Sequence, residues 1–149
     1  MNNLDKINHN FSFNESIKFK DCSLKFILNH RPEISSIIQK LKESIPQRTY
    51  LTINVHEQVL EENEKTCKNI NWHVDGTNED YALVCFGQYR TEFLINNAET
   101  EAGDGIPVVY TSKDLHRGRT AQSNSKRLLI RLCSSDRIRP TNTIIRGNR

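Results

Sequence analysis

Long apolar runs are missing from this sequence. None approaches the ~20 consecutive apolar residues that a helix needs to cross a bilayer, and residues 1–6 lack the apolar segment of a secretory signal. We therefore expect a cytoplasmic protein without membrane contact. With 36% hydrophobic and 26% charged residues, the composition is otherwise that of an ordinary globular protein with enough apolar side chains for a buried core.

The four cysteines do not form the pairs that zinc fingers and thioredoxin-like centres require. No two of them stand at C-x-x-C spacing, which argues against both kinds of site. Cys85 and Cys133 lie inside apolar stretches, where a free thiol behaves as a small hydrophobic side chain. We expect buried free thiols, as in a reducing compartment.

Acidic residues are scarce in the last third of the chain. Residues 105–149 contain ten Lys and Arg but only two acids, so the overall charge of +3 leaves −5 for residues 1–104. A basic third of this kind could face an anionic substrate or the phosphates of nucleic acid. It lacks the interleaved aromatic residues of a single-strand binding platform, and a solvated positive face is the simpler interpretation.

Hydrophobic periodicity predicts one clear helix followed by many short strands. The helix covers residues 32–45, where Pro32 fits the first turn and apolar side chains recur at helical spacing. Residues 11–28 are predicted as short extended segments and 59–68 as an acidic helix or loop. Further strands are predicted from their β-forming residues, over 49–55, 70–75, 81–86, 91–95, 107–110 and 127–133.

This pattern predicts a mainly β protein with an N-terminal helix, built as an antiparallel jelly roll (a double-stranded β-helix) or barrel. A length of 149 residues is typical of a single domain. Within it, residues 1–48 would supply N-terminal strands and the supporting helix, 49–133 the jelly-roll core, and 134–149 a basic C-terminal tail.

Two histidines and an aspartate stand in an order that could hold a metal ion. In the stretch N-W-H-V-D-G, His73 and Asp75 are two positions apart, so they leave the same face of a strand. His116, in L-H-R-G, would arrive from a separate strand. Two imidazoles and one carboxylate form the ligand set of non-haem Fe(II) oxygenases, which leaves three coordination positions for a co-substrate and O2.

An arginine follows in an otherwise apolar strand, R-L-L-I-R-L-C, which begins at Arg127. An inward-facing arginine in such a strand requires an anion, and the planar guanidinium binds a carboxylate with two parallel hydrogen bonds. The sequence therefore indicates a buried negative partner for Arg127, such as the far carboxylate of a dicarboxylic acid. Arg131 shares its face and could take this role instead.

With these residues the chain resembles the Fe(II)/2-oxoglutarate-dependent dioxygenase superfamily, whose motif is H-x-D…H…R on a double-stranded β-helix. The resemblance covers about residues 49–133. It is strongest over residues 115–128, which are similar to the phytanoyl-CoA and prolyl hydroxylase branches. It implies a hydroxylase that oxidises a C–H bond of an unidentified substrate with O2, while 2-oxoglutarate is converted to succinate and carbon dioxide.

The resemblance also implies roles for individual residues. His73, Asp75 and His116 would be the Fe(II) ligands and the catalytic residues. Arg127 would bind 2-oxoglutarate, and Thr91 in R-T-E-F is similar to a family position whose hydroxyl assists that arginine. Only forty positions separate Asp75 from His116, which is a departure from members with longer inserts. The candidates for the other carboxylate of 2-oxoglutarate are Tyr50, Thr52 and Asn54.

Two further functions fit the same residues. Two histidines, a carboxylate and a water also describe a zinc-dependent hydrolase, although Arg127 then has no role and no general base stands out. A non-catalytic jelly roll could instead bind nucleic acid or an acidic protein through its basic surface. A non-catalytic protein would have no reason to keep all three metal ligands, so the sequence favours the dioxygenase.

Overall fold

The computed structural model describes residues 1–20, 22–138 and 143–147, and these are mainly strands. None of the helices in this part of the chain combines the length and apolar character needed to cross a lipid bilayer. The two helices are α1 (Leu24–His30) and α2 (Ile34–Glu43). The strands are β1 (Asn2–Asn3), β2 (Ile17–Lys18), β3 (Tyr50–Leu60), β4 (Asp80–Gly87), β5 (Glu92–Ile95), β6 (Ala98–Glu101), β7 (Val108–Thr111), β8 (His116–Arg117), β9 (Ser125–Ser135) and β10 (Thr143–Arg146).

These strands form two antiparallel sheets. The larger has the order β1-β7-β4-β9-β3-β10, with β2 also paired to β3, and the smaller has the order β6-β5-β8. Strands β3 and β9 pair over all eleven residues of each and form the centre of the larger sheet. The expected mainly β architecture is confirmed. The two sheets are consistent with a β-sandwich, and they do not close into a barrel.

Helix α2 covers one face of the larger sheet, as its apolar stripe predicts. Ile34, Ile37, Ile38 and Leu41 recur every three or four residues and are all buried. They share one core with inward-facing residues of β3, β4 and β9, namely Ile53, Val55, Ala82, Val84, Leu128, Ile130 and Leu132. The helix predicted over residues 32–45 is confirmed, with its regular part inside those bounds.

The opposite face of the same sheet is polar along its centre. Because side chains alternate along a strand, Asn54, His56 and Gln58 of β3 point away from α2. In the register of β3 and β9, Gln58 stands opposite Arg127 and Asn54 stands opposite Arg131. This row of polar side chains forms the floor of the candidate site.

The first helix was not predicted. Residues 23–28 were expected to be extended, but they begin α1, and the Ser23 hydroxyl caps it by accepting a hydrogen bond from the Phe26 N–H at 3.1 Å. Serine is a preferred N-cap residue because its oxygen satisfies an N–H that lacks a partner in the first turn. The helix has only seven residues, too few for a clear helical repeat in the sequence.

Three other boundaries differ from the expectation. The strand predicted over residues 70–75 is reduced to one bridge between His73 and His116. Val59 and Leu60 extend β3, and the remainder of the segment predicted as a helix or loop is a loop. Strand β6 was not predicted, and it pairs with β5 through a tight turn at Asn96 and Asn97, which both have positive φ.

The C-terminal part of the chain contributes to the sheet. Ser134 and Ser135 belong to β9, and Thr143–Arg146 forms the edge strand β10 on β3, where the sequence predicted a tail. Residues 139–142 and 148–149 of that predicted tail lie outside the described residues.

Candidate metal centre

The bridge between residues 73 and 116 brings the three expected metal ligands together. The His73 N–H donates to the His116 carbonyl at 3.0 Å, and the His116 N–H donates to the His73 carbonyl at 2.9 Å. His116 lies on β8 at the edge of the smaller sheet, and Asp75 follows in the loop after the bridge. Two reciprocal backbone hydrogen bonds therefore position side chains that are far apart in the sequence.

The potential ligand atoms of His73, Asp75 and His116 all lie within 4.8 Å of one another. The Asp75 Oδ2 is 2.9 Å from the His116 Nε2, and its Oδ1 is 3.6 Å from the His73 Nε2. Two ligands at about 2.1 Å from one ion, and at right angles to each other, are about 3 Å apart. The group could therefore hold one metal ion with small adjustments of its side chains.

Both imidazoles are oriented in the way that metal-binding histidines require. The His73 Nδ1 lies 2.8 Å from the Asn71 carbonyl, and the His116 Nδ1 lies 3.1 Å from the Asp114 carbonyl. A carbonyl oxygen can only accept, so each Nδ1 is the donor. The Nε2 of each ring then faces Asp75. Without a metal ion the His116 Nε2–H donates to the carboxylate at 2.9 Å, and a bound ion would take the place of that proton. Such a second hydrogen bond commonly fixes the tautomer and orientation of a metal-binding histidine.

Asp75 is kept in the ionised form that binds a cation. Burial raises the pKa of its carboxyl group, but the hydrogen bond with His116 and the positive charge of Arg131 outweigh burial and hold this pKa below its usual value. The Arg131 Nη1 donates to the Asp75 Oδ2 at 2.6 Å. Its guanidinium also lies 5.3 Å from the centre of the Tyr81 ring. Arg131 therefore already has an anionic partner, and that partner is a candidate ligand.

Arg127 has no such partner. Only 3% of this residue is exposed, and its Nη1 and Nη2 donate to the Gln58 Oε1 at 3.1 Å and to the Cys85 Sγ at 3.3 Å. Its Nε is buried and makes no hydrogen bond. Within the described residues, no acidic side chain forms an ion pair with it. The Thr91 hydroxyl lies 3.6 Å from the same Cys85 sulphur, and both Thr91 and Arg127 line the same cavity.

One cavity of about 730 Å³ joins the metal-binding group to the two arginines. This volume lies within the range of about 300–1,000 Å³ that is usual for small-molecule sites. All six residues expected to bind the metal or the co-substrate line it, namely His73, Asp75, Thr91, His116, Arg127 and Arg131.

Sequence reasoning missed two polar residues on the cavity floor, His56 and Gln58. Burial, together with the positive charges of Lys18 and Arg127, lowers the pKa of His56 to about 4, so its ring is neutral near pH 7. The available signal was a polar residue at every second position of the apolar strand β3. Of the three candidates for the second carboxylate, Asn54 lines the cavity; Tyr50 and Thr52 are not among its lining residues.

Four arginines of the basic third do not contribute to an open positive surface. Arg117 and Arg119 both pair with Glu92 on the smaller sheet. Arg127 and Arg131 point into the cavity instead of the solvent. These four arginines therefore form no open basic surface of the kind that a nucleic acid requires.

Chemically, the site combines a group that can hold a divalent cation with a buried guanidinium that can hold an anion. A molecule with a carboxylate at one end and a metal-chelating group at the other would satisfy both.

In comparisons with known proteins, the sequence matches no protein-family model and no curated protein.

Proposed function

We propose that the protein is an Fe(II)- and 2-oxoglutarate-dependent dioxygenase, which uses O2 to hydroxylate a C–H bond of a small substrate and releases succinate and carbon dioxide. The proposal includes a jelly-roll connectivity for the two sheets. It is supported by a His-Asp-His group whose imidazoles are both oriented for metal binding. It depends above all on Arg127.

Arg127 is decisive because a buried charge without an anion is costly. Its Nε has no partner, and its other nitrogens bond to an amide oxygen and a thiol, neither of which carries a full negative charge in its usual state. A carboxylate would satisfy the guanidinium with two charge-assisted hydrogen bonds. The far carboxylate of 2-oxoglutarate is such a group.

The spacing along β9 separates the roles of the two arginines. Four residues of a β-strand span about 13 Å, so Arg131 and Arg127 mark two ends of the cavity. Arg131 is bonded to the candidate ligand Asp75 and belongs to the metal end. Arg127 belongs to the far end and is the anchor for the distal carboxylate.

Iron, when bound, would supply the activation of O2 and the oxidising power, with 2-oxoglutarate as the co-substrate. The residues of the chain bind and orient. In this proposal Arg127, assisted by Thr91, holds the distal carboxylate. Asn54, which lines the cavity opposite Arg131, donates to the proximal one. Leu83 and Leu129 add apolar surface to the cavity wall, which helps to exclude water.

A zinc hydrolase is less well supported by the same cavity. His56 is the additional imidazole there, but a pKa of about 4 makes it a weak general base at neutral pH. A hydrolase also leaves Arg127 unexplained. A non-catalytic module, in turn, gives no reason for both imidazoles to present Nε2 to the same carboxylate.

The test is an anaerobic titration of the Fe(II)-loaded protein with 2-oxoglutarate, followed by visible absorption. We expect a charge-transfer band in the wild type and no iron binding in His116→Ala. Arg127→Met should retain iron but bind 2-oxoglutarate roughly 10- to 150-fold more weakly, since a charged hydrogen-bonded pair contributes about 1.5–3 kcal/mol.

The matched control is Arg137→Met, because Arg137 is an exposed arginine just beyond the same strand. It should behave as the wild type. Binding of zinc with no response to 2-oxoglutarate would instead favour the hydrolase. A protein that binds no divalent metal would contradict both enzymes.

A further inference from the structure

The cavity that holds the candidate metal centre is also lined by three lysines. Lys18 comes from β2, and Lys65 and Lys68 come from the loop over residues 61–71, hereafter the mouth loop. All three are exposed, and none forms an ion pair with an acidic side chain of the described residues. We call them the mouth lysines. Their charges are available to a ligand.

Hydrogen bonds hold the backbone of the mouth loop, so the backbone positions of Lys65 and Lys68 at the cavity are defined. The Asn63 N–H donates to the Ala121 carbonyl at 2.7 Å, and the Thr66 N–H donates to the Arg119 carbonyl at 2.8 Å. From the cavity floor, the Gln58 amide donates to the Thr66 carbonyl, also at 2.8 Å. Lys18 is placed independently, because β2 pairs with β3 and sets it opposite His56.

The charged residues that line the cavity are mostly positive. Apart from Asp75, which is bonded to Arg131, the acidic residue of the lining is Glu64. The Glu64 carboxylate accepts a hydrogen bond from the Glu61 N–H at 2.9 Å. Burial lowers the pKa of His56, and the positive charges of Lys18 and Arg127 lower it further, so both charges act on the cavity floor.

We infer that the substrate is a small molecule with a phosphate-class anionic group, which Lys18, Lys65 and Lys68 hold at the mouth of the cavity. This inference rests on the proposed function and names its substrate class. Arg127 is occupied by the co-substrate in that function, so a second anion needs its own cations. Lysine is a common phosphate ligand that acts as a point charge, and three of them match a multiply charged group better than a single carboxylate.

The cavity favours a small molecule over a polymer. Its volume of about 730 Å³ is that of a small-molecule site. Single-stranded nucleic acid would also need aromatic side chains on which bases can stack. The ring of Trp72 is covered by the Arg117 guanidinium, 4.3 Å from the ring centre, and Tyr89 is likewise approached by Arg119.

The first experiment measures anion binding without any turnover. Inorganic pyrophosphate is titrated into metal-free protein at low salt by calorimetry, and the variant replaces Lys18, Lys65 and Lys68 with Gln. Three partly screened charges predict roughly tenfold weaker binding or more. The control replaces the exposed Lys20, Lys25 and Lys40 with Gln, which should change the affinity less than twofold.

Arg127→Met separates the two anion sites. It should lower the pyrophosphate affinity less than the variant of the mouth lysines does, while that variant should keep the 2-oxoglutarate band. Equal pyrophosphate affinity in the wild type and in the variant of the mouth lysines would overturn the inference. Absence of the band in the wild type would overturn the proposed function instead, so the two failures are distinguishable.

The second experiment measures succinate formation with matched pairs of compounds, such as phosphorylated amino acids or sugars and their unphosphorylated forms. We expect a phosphorylated compound to stimulate succinate formation, and its unphosphorylated form to stimulate it at least tenfold less. This difference should be lost in the variant of the mouth lysines. Stimulation by carboxylated compounds, neutral compounds or oligonucleotides alone would contradict the inference.

Discussion

At the scale of single residues, the carboxylate of Asp75 is shared by His73, His116 and Arg131. The distances to the His116 Nε2 and the Arg131 Nη1 are 2.9 and 2.6 Å. Only 16% of the Arg131 side chain is exposed, so this aspartate neutralises a largely buried cation as well as offering a metal ligand. Removing Asp75 should therefore affect the stability of the protein more than removing a histidine of the same group.

Asp75→Ala should therefore destabilise the metal-free protein, whereas His73→Ala should not. We expect a loss of about 1–3 kcal/mol in the free energy of unfolding for Asp75→Ala, because Arg131 is left without its anion. The imidazole of His73 is hydrogen-bonded to the Asn71 carbonyl, lies 3.6 Å from the Asp75 carboxylate and contacts the His116 ring, and it leaves no buried charge unpaired. Its loss should therefore cost less than ~1 kcal/mol. Urea unfolding in the presence of a chelator measures both.

A double-mutant cycle provides the control for this prediction. Asp75→Ala combined with Arg131→Met removes both charges and should recover part of the lost stability. A double variant less stable than Asp75→Ala alone would show that Arg131 is not the cause.

His56 predicts a dependence of stability on pH. Its pKa in the folded protein, about 4, lies below the ordinary value of 6.5, so between these values the unfolded chain binds a proton that the folded protein does not. The free energy of unfolding should therefore fall as the pH decreases from about 6.5 to about 4. His56→Gln should show a smaller fall between pH 7 and pH 4.5 in urea titrations.

The same pH dependence must be measured for a variant of His9, because this residue contributes to it as well. Burial lowers the pKa of His9 as well, against the opposing charge of Asp104, so His9→Gln should reduce the same slope separately. An unchanged slope in His56→Gln would show that folding does not lower the pKa of His56.

At the scale of elements, the contact between β8 and the mouth loop holds His116 in place. A Cβ added to Gly118, next to β8, would stand 2.3 Å from the Cys67 Sγ and 2.9 Å from the Thr66 Oγ1. The Gly118 N–H also donates to the Asn69 carbonyl at 3.1 Å. A side chain at this position would therefore displace the side chains of Cys67 and Thr66.

Gly118→Ala should separate these two elements. We expect a loss of about 1–3 kcal/mol in the free energy of unfolding, the usual cost of overpacking, and weaker metal binding because His116 moves with β8. Urea unfolding and a metal titration measure the two effects. In a Cys67→Ala background the sulphur is absent, so the same substitution should cost less; an equal cost would place the strain elsewhere.

At the scale of the whole molecule, metal binding at this group would be coupled to folding. The ligands come from a loop and from a strand of the smaller sheet, and only the folded chain gathers them. A ligand that binds the folded state alone, at 100 times its Kd, stabilises it by about 2.7 kcal/mol. For a chain of this size that corresponds to a rise in Tm of roughly 5–11 °C.

We therefore expect Fe(II) under anaerobic conditions, or Ni(II) as an oxygen-stable substitute, to raise the Tm of the wild type in a thermal melt. His116→Ala should show little of this rise. A rise of equal size in that variant would place the metal at another site.

Much of the architecture could be predicted because its elements follow strong local patterns. The stripe of α2 has a helical period, and the apolar runs of β4 and β9 are long and rich in β-formers. Helix α1 was not predicted because seven residues are too few to show a helical repeat. The segment over residues 70–75 was predicted as a strand because alternation alone does not show that only His73 finds a pairing partner.

The sequence by itself determined which chemical groups are available. These are the two imidazoles and the carboxylate of the H-x-D…H motif, and two arginines that share one face of β9. Tertiary structure decided how these groups are used. It bonded Arg131 to Asp75, left Arg127 without an anion, and brought Lys18, Lys65 and Lys68 to the same cavity. The reason is physical: periodicity along one segment shows which way a side chain points, whereas its partner depends on distances to segments remote in the chain.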